Sequence, residues 1–424
     1  MTQGPLLGKI LRFALPFAAS SVMEQLFVTI DVAVVGRFAT SEALAAVGAN
    51  TFLINLLLNL FVGISVGANA VISNFIGRHD RHRVRDAVGT TMVLSLIAGG
   101  LLLVVGDLFA PGILLLMGTP HEILGDASLF LRIYFVGMPF FMIFNFGQSV
   151  LRGKGDTRRP LYILLIAGCI NVSLNLLFVV VFGLGVAGVA TATGCANVFC
   201  AFAIVWVLRR EAGAFRLTWL RLRLDRAILG RILFIGVPAG LQAMVFSLSN
   251  IFVQSAINGY GPAAIAGAAI SQNFDNYCYF LLTSFCGAAV TFTGQNYGAG
   301  KVSRCRRVFW ICLGCGALAC FLGNMLFYTQ IDFFLWLFTT DATVIHYAKI
   351  RTATVLIFQA IAASYEISAA SMRGFGHSIE PTLLTILGTC VLRLCWIFLV
   401  CPVWPGFREL MLCYPISWAL TGIM

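Results

Sequence analysis

Four carboxylates lie inside long apolar runs of this chain: Glu24, Asp31, Asp275 and Glu366. A charge is costly to bury in such a run, and where one occurs it marks an ion or substrate path. Asp31 has the best company. At about 1.5 Å per residue it lies about 28 Å along its helix from Arg12. Asn171 and Asn175 stand four apart, so they share a helical face, about 16 and 22 Å beyond Pro160. Thr193 lies about 12 Å past a helix start near Gly185. If neighbouring helices alternate in direction, these oxygens fall at one depth. Gln148, one turn before Arg152, completes the set. Such a group suits a proton or a hard monovalent cation, although the asparagines could equally cross-link helices.

A second set suits a larger cation. Gln25, Gln242, Gln254, Asp275 and Glu366, with nearby Phe and Tyr rings, offer the carboxylates and aromatic faces that lipophilic cations prefer. Glu366 has an alternative role, neutralising Arg393, which reads as the one buried base.

The elements that must hold these groups are membrane helices. The chain has 424 residues, 59% apolar and only 11% charged, with mean hydropathy +0.92. That balance belongs to an integral membrane protein in the lipid bilayer. Apolar runs of spanning length occur at 10–36, 47–76, 87–108, 128–151, 160–182, 186–208, 229–257, 263–296, 307–328, 344–372 and 381–401. A shorter one follows at 409–424, so twelve spans are expected. The first run is too long for a signal peptide. With both termini cytoplasmic, 22 of the 28 Lys and Arg fall in inner segments, as the positive-inside rule requires. The net charge of +11 is then topological, and no nucleic-acid partner is expected. Most of the thirteen cysteines lie in apolar runs and read as small hydrophobes,. Cys312 and Cys315 lack the second ligand pair of a structural zinc site,.

The chain also repeats itself. "RGKGDTRRP" from Arg152 to Pro160 returns as "RGFGHSIEP" from Arg373 to Pro381. Leu15-Pro16 meets Val237-Pro238, "GANAV" from Gly67 meets "GAAV" from Gly287, and "ALAA" from Ala43 meets "AIAG" from Ala264. Two homologous six-helix halves in the same orientation account for this: residues 1–208 and 229–424, joined by a basic cytoplasmic linker at 209–228. The fold class is all-α, in two parallel repeats. In the repeated frame, Gly153, Gly155, Gly374 and Gly376 relax a helix end, and Pro160 and Pro381 suit the next first turn. Arg152 and Arg373 can reach helix carbonyls or lipid phosphate. No G-x-x-x-x-G-K-[ST] loop, H-E-x-x-H pair or G-x-S-x-G elbow is present. ATP-driven pumping and enzymatic hydrolysis are therefore not expected, nor is any cofactor.

"TIDVAVVGRF" with "EALAAVG", "LRGKGDTRRP", "NLLFVVVFGLGVAGVATAT" and "AAVTFTGQNYGAGK" together resemble the multidrug and toxic compound extrusion (MATE) family, nearest its bacterial DinF-like branch. The resemblance covers essentially the whole chain. It implies two six-helix lobes around a cleft, in the plasma membrane, exporting organic cations or other drugs in exchange for H⁺ or Na⁺. It also implies that Asp31 and the polar residues of the fourth to sixth spans form the cation site. A monomer is expected. Many relatives carry aspartate where this chain has Asn175, which weakens a sodium site and leaves at most weak Na⁺ binding at Asp31. A lone carboxylate in an apolar surround favours proton coupling. Two alternatives stand beside this. "GRHDRHRVR" departs from the loop of major-facilitator transporters. A flippase for lipid-linked oligosaccharides would carry more spans and a more basic cleft.

Overall fold

The computed structural model describes residues 1–38, 41–116, 121–218 and 222–424. Of residues 36, 41–53, 110, 111, 113, 115, 116 and 121–123 only the backbone is described. The side chains of the "EALAAVG" motif, and Arg221 of the linker, therefore lie outside the described residues. Every regular element among the described residues is helical.

The long elements follow the apolar runs: α1 Leu7–Phe38, α2 Ser41–Gly77, α3 Arg81–Leu116, α4 His121–Val136, α5 Met138–Lys154, α6 Arg158–Asn175, α7 Gly185–Arg210, α8 Arg226–Asn258, α9 Pro262–Gly298 and α10 Val302–Thr329. The later part is more broken: α11 Ile331–Trp336, α12 Ala342–Thr354, α13 Ala363–Phe375, α14 Ile379–Thr385, α15 Leu392–Cys395, α16 Phe407–Met411 and α17 Cys413–Ile423. Among the described residues, ten stretches are long and apolar enough to cross a membrane, and α4 with α5 makes an eleventh if read as one span bent by 46°. The bend sits at Gly137, just before Pro139, which has no N–H to continue the ladder,. The expected twelfth run, 409–424, is covered by α16 and α17, of 5 and 11 residues. Pro415 in the first turn of α17 cannot donate back, so the helix restarts there.

Two compact units emerge, Ala19–Val237 and Met1–Ala18 with Pro238–Met424. These boundaries fall inside α1 and α8, beside Pro16 and Pro238, rather than in the linker at 209–228.

In the unit Ala19–Val237, α2 meets the first turns of α8 through glycines. A Cβ on Gly67 would collide with the Ile232 carbonyl, and one on Gly236 would lie 2.5 Å from Ile64 Cα. Small residues let helices approach closely where lipid supplies no hydrophobic drive. The linker is tied down: the Thr90 hydroxyl donates to the Arg223 carbonyl at 3.3 Å and accepts from the Asp225 amide at 3.1 Å. Glu211 accepts from Lys154 Nζ at 2.6 Å and pairs with Arg159. Burial pushes the Glu211 carboxyl up, but these two cations outweigh it and hold it below its ordinary value.

The other unit repeats the glycine contact. A Cβ on Gly287 of α9 would collide with the Phe17 ring of α1, and Phe13 stands edge-on to Phe292 at 5.8 Å. On α10, Leu318, Leu322 and Leu326 form an exposed stripe at i, i+4 spacing, the surface expected to face lipid.

Both R-G-x-G frames build the same turn. Gly155 has φ 103° and ψ 14°, and Gly376 φ 99° and ψ 3°, each capping its helix in the left-handed region. The next amides, of Asp156 and His377, close back onto Leu151 and Met372 carbonyls at 2.9 and 3.0 Å. This is the helix-ending motif that glycine serves without steric cost. Gly153 and Gly374 pack flat on neighbours, where a Cβ would lie 3.0 Å from Ile72 and 2.8 Å from Thr293. Pro160 and Pro381 each stand third in the following helix. The arginines depart from the expected reach to carbonyls or lipid. Arg152 donates to Gln148 Oε1 and Arg373 to Gln242 Oε1, both at 2.7 Å.

Candidate functional site

Gly168 on α6 explains why α1 and α6 meet. A side chain there would collide with the Phe27 ring, so glycine lets the helices close. Asp31 stands four residues beyond Phe27, and Asn171 and Asn175 stand three and seven beyond Gly168. Each therefore falls on the face already in contact.

The result is a closed ring of hydrogen bonds. Asn175 Nδ2 donates to Asp31 Oδ1 at 2.6 Å and to Asn171 Oδ1 at 3.1 Å. Asn171 Nδ2 donates to Thr193 Oγ1 at 3.3 Å, and Thr193 Oγ1 donates to Asp31 Oδ2 at 2.8 Å. All donors run toward the carboxylate, as an ionised, acceptor-only group requires. Asn171 and Asn175 are buried, Asp31 half-buried. Immediately after Asn175 the helix widens into a π turn, Leu176–Val181, a distortion frequent at functional sites.

This ring borders a cavity of about 150 Å³ inside the unit. Asp31, Glu24, Asn171 and Thr193 line it beside the rings of Phe27, Tyr134 and Phe141. That volume suits an ion with a few waters and falls short of the several hundred Å³ of a drug pocket. Tyr134 and Glu24 were not placed with Asp31 by the sequence reading. The i−7 spacing of Glu24 from Asp31 is the signal that puts them on one face.

Gln148 is not in the ring. It accepts from Arg152 and lies within hydrogen-bonding reach of Glu24. The expected substrate group is likewise distributed. Gln25 lies half-buried on α1, and Gln254 donates to Asn258 at 3.1 Å on its own helix. Gln242 holds Arg373. Asp275 pairs with Arg351 at 2.6 Å, and Tyr279 donates to Glu366 Oε1 at 3.2 Å with Arg373 nearby.

Two expectations are corrected here. Arg393 is not the one buried base, because Arg351 is only 1% exposed. Nor does Glu366 neutralise Arg393, whose bonds go to Asn250 and Ser417. Arg351 was hidden because "AKIRTAT" looks like a polar helix start; its burial depends on Asp275, 76 residues earlier.

The family model MatE matches residues 16–177 and again 238–399, the second match shifted by 222 residues at each end. A probable multidrug resistance protein, YoeA, of Bacillus subtilis (strain 168) is 29% identical over 381 residues, covering 88% of this chain and 82% of its own. A probable multidrug resistance protein, NorM, of Thermotoga maritima is 24% identical, covering 91% and 84%. Among solved structures, the outward-facing conformation of a multidrug resistance MATE family transporter of the MOP superfamily superposes with TM-score 0.93 at 21% identity. It covers 100% of this chain and 94% of that one.

Proposed function

Because the chain belongs to the MatE family, we propose that it is a plasma-membrane exporter that expels lipophilic organic cations as protons enter through Asp31. Family membership supports export and drug-like substrates. The carrying observation is the Asp31 ring, a carboxylate from α1 clamped by donors from α6 and α7 beside a small cavity.

The chemistry follows from the donor directions. Ionised Asp31 accepts one bond from α6 and one from α7. A proton on either oxygen makes it a donor and a poorer acceptor, so the bond that oxygen accepts weakens. Protonation thereby loosens α1 from one neighbour, giving a local two-state element that a gradient can bias. Hard cations prefer charged oxygens, and this ring holds one carboxylate and two amides, so sodium binds weakly here. In this reading the twelve expected helices form two parallel repeats with both termini cytoplasmic, working by alternating access. Gln25, Gln242, Gln254, Asp275 and Glu366 remain candidates for the drug path, and the transporter works as a monomer.

The test is transport in reconstituted vesicles with an imposed proton or sodium gradient and a fluorescent lipophilic cation. Proton-driven efflux is expected. Absence of any drug efflux, with movement of a lipid-linked oligosaccharide instead, would replace this reading with a flippase.

A further inference from the structure

We propose that Glu24 is the inner relay for the proton taken up at Asp31, a carboxylate that receives it across the cavity and passes it toward the R-G-x-G end of α5. The proposal rests on the proton-driven export read at Asp31 and names the next group on the path. Glu24 and Asp31 stand seven apart on α1, so two helical turns put them on one face, about 10 Å apart along the axis. Both line the same cavity of about 150 Å³, which has room for several waters. Two or three waters at a spacing of about 2.8 Å bridge a gap of that length. The opposite wall is α7. Thr193 donates to Asp31, and seven residues later Cys200 lies beside Glu24, so α1 and α7 run in opposite directions in matched register. Asn197 lines the cavity one turn beyond Thr193 and keeps a polar group midway between the two acids,.

Beyond Glu24 the path continues on polar groups. The Gln148 carbonyl accepts from Arg152 at 2.7 Å, which leaves its amide to donate to Glu24, with Arg152 nearby. The titratable groups facing Glu24 are Arg152 from α5, the Cys200 thiol from α7 and, across the cavity, Asp31 and Tyr134. Arginine does not shed its proton in proteins, and a thiol and a phenol already hold theirs at neutral pH. That leaves Glu24 to accept the proton from Asp31. In the transfer the O–H bond on Asp31 breaks, one proton moves along the waters, and an O–H bond forms on Glu24. Asp31 regains its charge and its full bonds from Asn175 and Thr193, while Glu24 becomes neutral and loosens its hold on Gln148.

The repeat separates this role from simple anchoring of the turn arginine. In the other unit Arg373 donates to Gln242 at 2.7 Å and stands near Glu366, the same three side-chain types as Arg152, Gln148 and Glu24. The 222-residue shift that sets Pro16 on Pro238 places Val253 where Asp31 stands. Anchoring is therefore common to both units. A second carboxylate two turns away, across a cavity, belongs to the Asp31 unit.

The experiment compares two rates in vesicles of the reconstituted full chain with a fluorescent lipophilic cation. One is efflux driven by an imposed proton gradient; the other is drug-for-drug counterflow at equal pH, which moves no net proton. Glu24→Gln should lower the driven rate about a hundredfold or more and leave counterflow at the native rate. Glu24→Asp keeps the acid but lengthens the gap, so it should slow the driven rate severalfold, again without touching counterflow. Parallel loss of both rates in Glu24→Gln reduces Glu24 to an anchor for Arg152 and overturns the proposal, as does a native driven rate. Should that variant not fold, Glu24→Asp decides, and equal slowing of both rates, or of neither, overturns the relay. A native protein without proton-driven efflux, or an Asp31→Asn variant that keeps it, instead overturns the reading of Asp31 and takes the relay with it.

Discussion

Asn175 donates to Asp31 across 2.6 Å although the two residues are 144 positions apart. Removing the charge at Asp31 while keeping its shape should separate transport from folding. We expect Asp31→Asn to fold and reach the membrane but to lose proton-driven efflux by two orders of magnitude or more, on the order of a lost essential proton carrier. Initial efflux rate in vesicles measures it; a normal rate removes Asp31 from the mechanism.

Asn175→Asp should change the coupling ion. Two carboxylates held about a hydrogen bond apart repel when both are ionised, and a cation between them relieves the repulsion. The variant should therefore gain a dependence on Na⁺ that the native protein lacks, read as efflux rate against Na⁺ at fixed pH. If the native protein already saturates at low Na⁺ and ignores a proton gradient, an amide is sufficient for sodium.

Breaking the Asp275–Arg351 pair one side at a time should be costly. Arg351→Met leaves Asp275 buried without its partner, at a cost of about 3–5 kcal/mol, whereas Asp275→Leu combined with Arg351→Met should recover most of it. Unfolding midpoints of the two single variants and the double variant decide this, and additive losses would contradict it.

The two turn glycines should behave alike. Both sit in the left-handed region, and a Cβ at Gly376 meets nothing within 4 Å, so Gly→Ala at either should cost the left-handed backbone, about 1–2 kcal/mol. Gly374→Ala adds a clash with Thr293 and should cost more. Equal stability of all three variants would count against the turn geometry.

Glu211 makes a pH-dependent latch on the linker. Its folded-state carboxyl is held below the ordinary value of 4.5. The stabilisation is thus complete above that value and is lost as pH falls through the depressed one. Glu211→Gln should cost on the order of 1–2 kcal/mol at neutral pH, discounted for the partly exposed Lys154 and Arg159. The gap between variant and native protein should close on acidification below 4.5. A gap that stays constant with pH would mean the contact is not ionic.

The amino-acid sequence by itself determined the membrane class, the extents of most apolar runs, the internal repeat and the residues of the Asp31 ring. Each of these is local. Hydropathy is set by consecutive residues, a turn by one glycine's backbone freedom, and the shared face of Asn171 and Asn175 by helical period. Tertiary structure decided who pairs with whom. Gln148 turns to Arg152 and away from Asp31, Arg351 is buried by Asp275, and Arg393 meets Asn250 and Ser417 rather than Glu366. Depth along a helix is readable from a rise of about 1.5 Å per residue, but rotation about its axis and the choice of neighbour are not. A single π turn shifts every later side chain by about 100°. Packing sets those angles, through contacts such as Gly168 on Phe27 that join residues far apart in the chain.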